Sequence, residues 1–156
     1  MNLKQKVAAV ASAGVVSIAI TMISYFEGVH YEPYRDVAGV LTACYGHTGN
    51  DIIQNRLYTQ KECDALLQKD FIKIQRQVDA LVKVSLDNHT QASLYSFAFN
   101  VGITAFSRST LLKKLNVGDQ HGACEEMKRW IYAGGKVWKG LINRREMESA
   151  LCHGNL

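Results

Sequence analysis

Proline is nearly absent from these 156 residues, Pro33 being the only one, which excludes proline-rich linkers and polyproline recognition segments. There is no internal repeat and no polar low-complexity tract. At 47% hydrophobic and 21% charged residues, the composition is that of a folded chain rather than a disordered one. The length suits one compact domain, with room for two lobes but not for two independent domains. The four cysteines, Cys44, Cys63, Cys124 and Cys152, lack the C-x-x-C spacing of a zinc or redox site. Their even count fits two disulfides in an oxidising compartment, and buried free thiols are the alternative. Acidic residues are in the minority, 14 against 18 basic, for a net charge of +4. That excess favours polyanions such as anionic lipid or a bacterial wall, but the basic residues are scattered, so no nucleic-acid partner is expected.

Charge is missing altogether from Val7 to Phe26, VAAVASAGVVSIAITMISYF. A run of this length can cross a bilayer as a helix, and Lys4 and Lys6 ahead of it would keep the N-terminus in the cytoplasm, with the rest of the chain outside. Its strongly apolar residues supply roughly −2 to −5 kcal/mol of insertion free energy. Ser12, Gly14, Ser17, Thr21 and Ser24 oppose insertion, so the segment is held weakly. Ala11-Ser12-Ala13 has the form of a signal-peptidase site, but too few apolar residues precede it for an h-region, and an uncleaved segment is expected. A buried core helix of a soluble protein is the alternative.

Tyr34 to Tyr45 reads as a short hairpin, turning at Val37-Ala38-Gly39 after Asp36, with Gly46 and Gly49 ending it. Thr59-Gln-Lys-Glu62 is a capping box. Behind it Cys63, Leu66, Leu67, Phe71, Ile74, Val78 and Leu81 recur at helical spacing, predicting one long amphipathic helix to about Val84. Asn88 to Asn100 is apolar on nearly every side, as a central helix surrounded by others should be. Thr110–Asn116, Gln120–Tyr132 and Gly140–Cys152 read as further helices, with Gly118 and Gly134-Gly135 as stops. The fold class is α+β, mostly α, with one small sheet.

Hydrolysis of a glycosidic bond needs an acid to protonate the leaving oxygen and a carboxylate to activate water or attack the sugar from the other face. Glu27 at a helix end and Asp36 on the first arm of the hairpin come from different elements and could face each other across a cleft. Thr42, on the returning arm, could hold a water against Asp36. Spacing alone is weak support, since most such carboxylate pairs are solvated surface charges.

The pattern E-x8-D-x5-T at Glu27, Asp36 and Thr42, followed by Tyr45-Gly46-His47-Thr48, resembles the signature of the phage lysozymes of glycoside hydrolase family 24. Ser96–Gly102 (SFAFNVG), Ser109–Asn116 (STLLKKLN), Lys128–Trp130 (KRW) and Asn143–Arg145 (NRR) continue the likeness, which runs over about residues 25–152. The weakly apolar N-terminus is similar to that of the signal-anchor-release endolysins.

The resemblance implies a two-lobed fold: a small β-hairpin lobe, a long connecting helix and a helical C-terminal lobe. Residues 1–26 would be a signal-anchor-release segment that can become the first helix, and residues 27–156 the muramidase domain. It further implies an endolysin that hydrolyses the β-1,4 bond between N-acetylmuramic acid and N-acetylglucosamine in bacterial peptidoglycan with inversion, using no metal or cofactor. Glu27 would be the general acid, Asp36 the base that positions water, and Thr42 its helper. The enzyme would be a monomer, tethered and inactive at the host inner membrane through residues 7–26, then released and active in the periplasm.

Arg144 matches a family position whose guanidinium pairs with the catalytic glutamate, a surface arginine being the alternative. His47 is expected to be structural, bonding across the hairpin, and Asn100 to reach the cleft or support it. Trp130 and Trp138 are expected in the core rather than stacked on sugars. Cys44 stands where many members carry glycine. Four cysteines allow three pairings, and keeping partners within one lobe favours Cys44 with Cys63 and Cys124 with Cys152. A lytic transglycosylase on the same bond, or a non-catalytic membrane-anchored wall-binding lysis regulator, are the rival readings.

Overall fold

A computed structural model describes the whole chain, Met1–Leu156. The charge-free run folds as two helices rather than one: α1 (Leu3–Val10) and α2 (Val15–Glu27), joined by a 3-10 turn at Ala11–Ala13. Gly14 makes the break, because its φ of +95° lies where glycine goes freely and L side chains do not. A capping box opens α1: Asn2 Oδ1 accepts the Gln5 N–H at 3.0 Å and Gln5 Oε1 accepts the Asn2 N–H at 2.9 Å. Ile18, Ala19, Met22 and Ile23 form a fully buried stripe on α2. No helix is long and apolar enough to cross a membrane.

Three antiparallel strands follow, β1 (His30–Arg35), β2 (Leu41–Cys44) and β3 (His47–Thr48), in that order across the sheet. The first arm therefore begins at His30, ahead of the expected Tyr34. Pro33 is tolerated because β1 is an edge strand whose register shifts between His30 and Tyr34. Gly46 does not end the sheet. At φ +77° it turns the chain tightly into β3, which pairs Thr48 with Thr42 and His47 with Ala43.

Helix α3 (Gln60–Leu81) starts at the Thr59–Glu62 capping box, as its sequence predicts, and stops at Leu81, short of Val84. It serves two cores. Cys63 belongs to a small cluster under the sheet with Ala43, Cys44, Ile52 and Tyr58, whereas Leu67, Phe71 and Val78 belong to the main 23-residue cluster. One helix thus joins the two lobes.

The helical lobe is built around α4 (Asn88–Val101), capped by Asp87, whose Oδ1 accepts the Thr90 N–H at 2.8 Å. Short helices α5 (Ile103–Ser107), α6 (Thr110–Asn116) and α7 (Gln120–Glu126) follow, then a 3-10 turn at Met127–Arg129. The helix expected to reach Tyr132 therefore ends early. In its place β4 (Tyr132–Ala133) and β5 (Lys136–Val137) form a second hairpin around Gly134-Gly135, so there are two small sheets where one was expected. Helix α8 (Lys139–Cys152) closes the fold.

The disulfides are Cys44–Cys63, S–S 2.04 Å, and Cys124–Cys152, S–S 1.97 Å, one in each lobe as expected. Cys44 has a φ of +59°, a left-handed conformation that glycine adopts most easily. The result is a two-lobed, mostly helical α+β fold.

Candidate active site

Glu27 is the last residue of α2. Gly28, at φ +65°, ends the helix and donates its N–H to Ser24 O at 3.2 Å. Glu27 Oε1 accepts a hydrogen bond from Arg144 Nη1 at 2.7 Å. Oε2 faces the turn between β2 and β3, where a Cβ built on Gly46 would stand 3.6 Å from it. The carboxylate thus lies between the lobes, with 21% of its side chain open to solvent.

Arg144 is fixed from several sides. Its side chain is 5% exposed, Nε donates to Glu148 Oε1 at 3.0 Å, Nη2 donates to Ser96 O at 3.2 Å, and the guanidinium lies 5.2 Å from the Phe26 ring centroid. Glu148 has no exposed side-chain surface and also accepts from Ser96 Oγ at 2.7 Å and from Arg145 Nη1. Arg145 in turn donates to Trp130 O at 2.9 Å and to Asn100 Oδ1. Burial pulls the Arg145 guanidinium below its ordinary pKa, against the opposing pull of the Glu148 carboxylate. Two guanidinia and two carboxylates balance, which is how so much charge can be kept inside. Arg144 is no surface arginine.

Asp36 lies one residue past β1, in the turn rather than on the strand. Its Oδ1 accepts the N–H groups of Ala38 at 2.8 Å and Val40 at 2.9 Å, an Asx-type turn that fixes the side chain. Its other oxygen makes no bond within the protein. Thr42 is buried in β2 and donates its hydroxyl to Val40 O at 3.0 Å. Asp36 and Thr42 are therefore joined through Val40, and the Thr42 oxygen keeps acceptor capacity.

A cleft of about 520 Å³ opens beside Glu27, walled by Phe26, Asn100, Trp138, Asn143 and Arg144 among others. Its size is ordinary for a ligand site. Asn100 is on the cleft wall. Asp36, Thr42 and His47 are not among its lining residues; they belong to the sheet lobe, which reaches Glu27 at Gly46. Trp130 packs in the core, edge-on to Phe97 at 5.5 Å. Trp138 does not: it is 56% exposed on the cleft wall, correcting the expectation that both tryptophans are core residues. It stands at the end of an exposed hairpin with nothing packed over it.

The His47 backbone pairs with Ala43 across the hairpin, but its side chain does not bond across it. Its Nδ1 lies 2.8 Å from Asp70 Oδ2 on α3, and its Nε2 lies 2.9 Å from Asp51 Oδ1 in the following loop. Burial pushes His47 down, but the bonds to Asp51 and Asp70 outweigh it and raise its pKa above the ordinary 6.5. The bond to His47, with Lys69 assisting, brings Asp51 down to about 2. The His47 side chain thus ties the sheet to α3 instead of bridging the hairpin.

Sequence reasoning missed Glu148, Arg145 and Ser96, which hold Arg144. The spacing of Arg144 and Arg145 to Glu148, i,i+4 and i,i+3 on one helix, was the available signal. Their burial was not readable.

The phage lysozyme family model matches residues 24–148. A protein named SAR-endolysin from bacteriophage PS119 is 50% identical over 156 residues, covering 96% of this chain and 93% of that one. The solved endolysin from Escherichia coli O157:H7 phage FAHEc1 is similar at a TM-score of 0.81 and 31% identity, over 88% of this chain and 92% of its own. The active form of P1 phage endolysin Lyz, at 21% identity and a TM-score of 0.80, shares the fold over 100% of this chain and 96% of its own.

Proposed function

The chain belongs to the phage lysozyme family, and on that premise we propose that this endolysin, a lysozyme-type peptidoglycan hydrolase, cuts the β-1,4 bond between N-acetylmuramic acid and N-acetylglucosamine. Glu27 acts as general acid, Asp36 positions the attacking water and Thr42 assists it. The observation that carries the reading is the 2.7 Å pair between Glu27 and an Arg144 anchored on buried Glu148, at the mouth of a cleft. With Oε1 held by Arg144, Oε2 is the oxygen free to give its proton to the leaving sugar oxygen. With Asp36 Oδ1 held by two backbone N–H groups, Oδ2 is the oxygen free to orient water. Attack from the face opposite the leaving group inverts the anomeric carbon.

Clearing of a purified cell-wall suspension tests this. Glu27→Gln is expected to lower the rate by about 10²–10⁴-fold, and Asp36→Asn to lose most activity while keeping the wild-type melting curve. Wild type should release reducing ends. Near-normal rates in either variant overturn the roles, and 1,6-anhydro ends would mean transglycosylation instead.

The same reading makes residues 1–26 a releasable anchor and residues 27–156 the muramidase domain, with the enzyme moving from the host inner membrane to the periplasm. Supporting it are the charge-free run, the lysines ahead of it and the name of the PS119 relative. In the bilayer the run would leave the main core without Ile18, Met22 and Ile23 and keep Glu27 from Arg144, so the tethered form is inactive. Released, the run packs as α1 and α2. Residues 1–26 contain no cysteine, so activation by thiol exchange from the anchor is unavailable.

Ser12→Leu with Ser17→Leu strengthens insertion at positions that the folded form leaves exposed or half-buried. Gly14→Leu would confound the test, because φ +95° makes it costly in the folded form too. The double variant is expected to stay in the membrane and delay lysis, whereas collapsing the membrane potential should release full-length, active wild type. Normal lysis timing, or active protein lacking its first 26 residues, overturns the mechanism.

A further inference from the structure

Trp138 spends its only polar group inside the protein and turns its ring toward the cleft. Its Nε1–H donates to Ala133 O at 3.0 Å and its backbone N–H to Ile131 O at 3.0 Å, yet the residue stays 56% exposed. The indole bond holds the ring and the backbone bond its attachment point, so its exposure is not a matter of a loose side chain. Trp138 is also the residue from which α8 departs. Arg144 follows six residues along the same helix, about 9 Å at the helical rise, and Arg144 holds Glu27. The position of the indole is thereby tied to that of the carboxylate.

The chemistry of the wall narrows the ligand. Trp138 presents an aromatic face with no free donor, and the polar groups sharing the cleft with it include the amides of Asn100 and Asn143. Asn100 Oδ1 already accepts from Arg145, so its N–H donors are what remain for a ligand. The one cation on the wall, Arg144, is taken up by Glu27, Glu148 and Ser96. An anionic ligand is therefore poorly served. A pyranose is well served: it has a flat C–H face for the indole and a rim of hydroxyls and acetamide for the amides.

We propose that Trp138 is a sugar-stacking residue, taking an N-acetylhexosamine ring of the glycan strand next to the ring whose bond lies at Glu27. It binds and aligns the strand and takes no part in bond breaking. The inference rests on the glycan-cleaving reading above.

Its test uses the Glu27→Gln protein and a peptide-free tetrasaccharide of N-acetylglucosamine, with affinity measured by calorimetry. The Kd should rise at least tenfold when Trp138→Ala is added and stay within about threefold when Trp138→Phe is added. Phenylalanine keeps a ring but loses the bond to Ala133, so its behaviour separates stacking from hairpin support. With Glu27 intact, Trp138→Ala should raise KM on cell wall while kcat changes by less than about twofold. Any of four results overturns the proposal: no binding by the parent, an Ala variant within twofold of it, a Phe variant as weak as Ala, or dependence on Trp138 only when stem peptides are present. Failure of the Glu27 role would appear separately, as wall hydrolysis by Glu27→Gln itself.

Discussion

Glu148 has no exposed surface, so its charge is balanced by Arg144 and Arg145, with Ser96 adding a hydrogen bond. Glu148→Gln keeps the shape and removes the charge both guanidinia share. Breaking a buried pair in this way costs about 3–5 kcal/mol, which should lower Tm by roughly 6–20 °C in a chain this size. Activity should fall with it, because Arg144 loses the anchor that aims it at Glu27. Thermal melting by circular dichroism checks this, and a shift under about 2 °C would contradict it. His47 sets a pH window. Its raised pKa means that its stabilisation is complete below the ordinary 6.5 and is lost as pH climbs through the higher folded value. Asp51, brought down to about 2 from 3.8, contributes above 3.8 and loses its contribution as pH falls toward 2. Tm should therefore peak between about pH 4 and 6.5, and His47→Gln should remove the alkaline decline.

Ser109 caps α6 and also ties it to α5: its Oγ accepts the Leu112 N–H at 3.1 Å and donates to Phe106 O at 2.7 Å. Ser109→Ala should cost about 1 kcal/mol, read as a drop in Tm of roughly 2–4 °C with kcat unchanged. Features of this kind were the legible part of the fold. The Thr59–Glu62 box marked the start of α3, and the apolar face of Leu67, Phe71 and Val78 marked its length, because caps and periodicity are local. The break at Gly14 was not legible, since a glycine inside an apolar run reads equally as a weak membrane helix and as two packed ones. Strands β3, β4 and β5, two residues each, are too short to show a period. At the site, Glu27, Asp36 and Thr42 stood out through resemblance, and Arg144 with them. The Asx turn at Asp36 is local, its bonds reaching only to Ala38 and Val40, whereas the placement of Trp138 on the cleft wall depends on contacts that only the folded chain brings together.

Two cores, each with its own disulfide, share one helix. Closing loops with sequence separations of 19 and 28 residues should contribute roughly 3–4 kcal/mol per bridge in the chain-entropy picture. Replacing both cysteines of one pair by serine should affect the lobes differently. Without Cys44–Cys63, cell-wall clearing should suffer most, since Cys44 lies in β2 two residues from Thr42. Without Cys124–Cys152, the loss should appear mainly in Tm. Combining Cys44→Gly with Cys63→Ser should recover about 1 kcal/mol relative to serine at both positions, because glycine relieves the left-handed backbone at φ +59°. Gly14, finally, gives the molecule's two proposed states opposite chirality requirements. The folded state needs φ +95° there, a region open to D residues and closed to L ones. An unbroken helix across a bilayer needs the right-handed conformation at the same residue. Glycine, being achiral, is the one coded residue that suits both. An L methyl at this position would meet nothing within 4 Å, so its cost is one of backbone handedness alone. L-alanine at position 14 should thus hold the chain in vesicles, and D-alanine, introduced by chemical ligation, should drive it out.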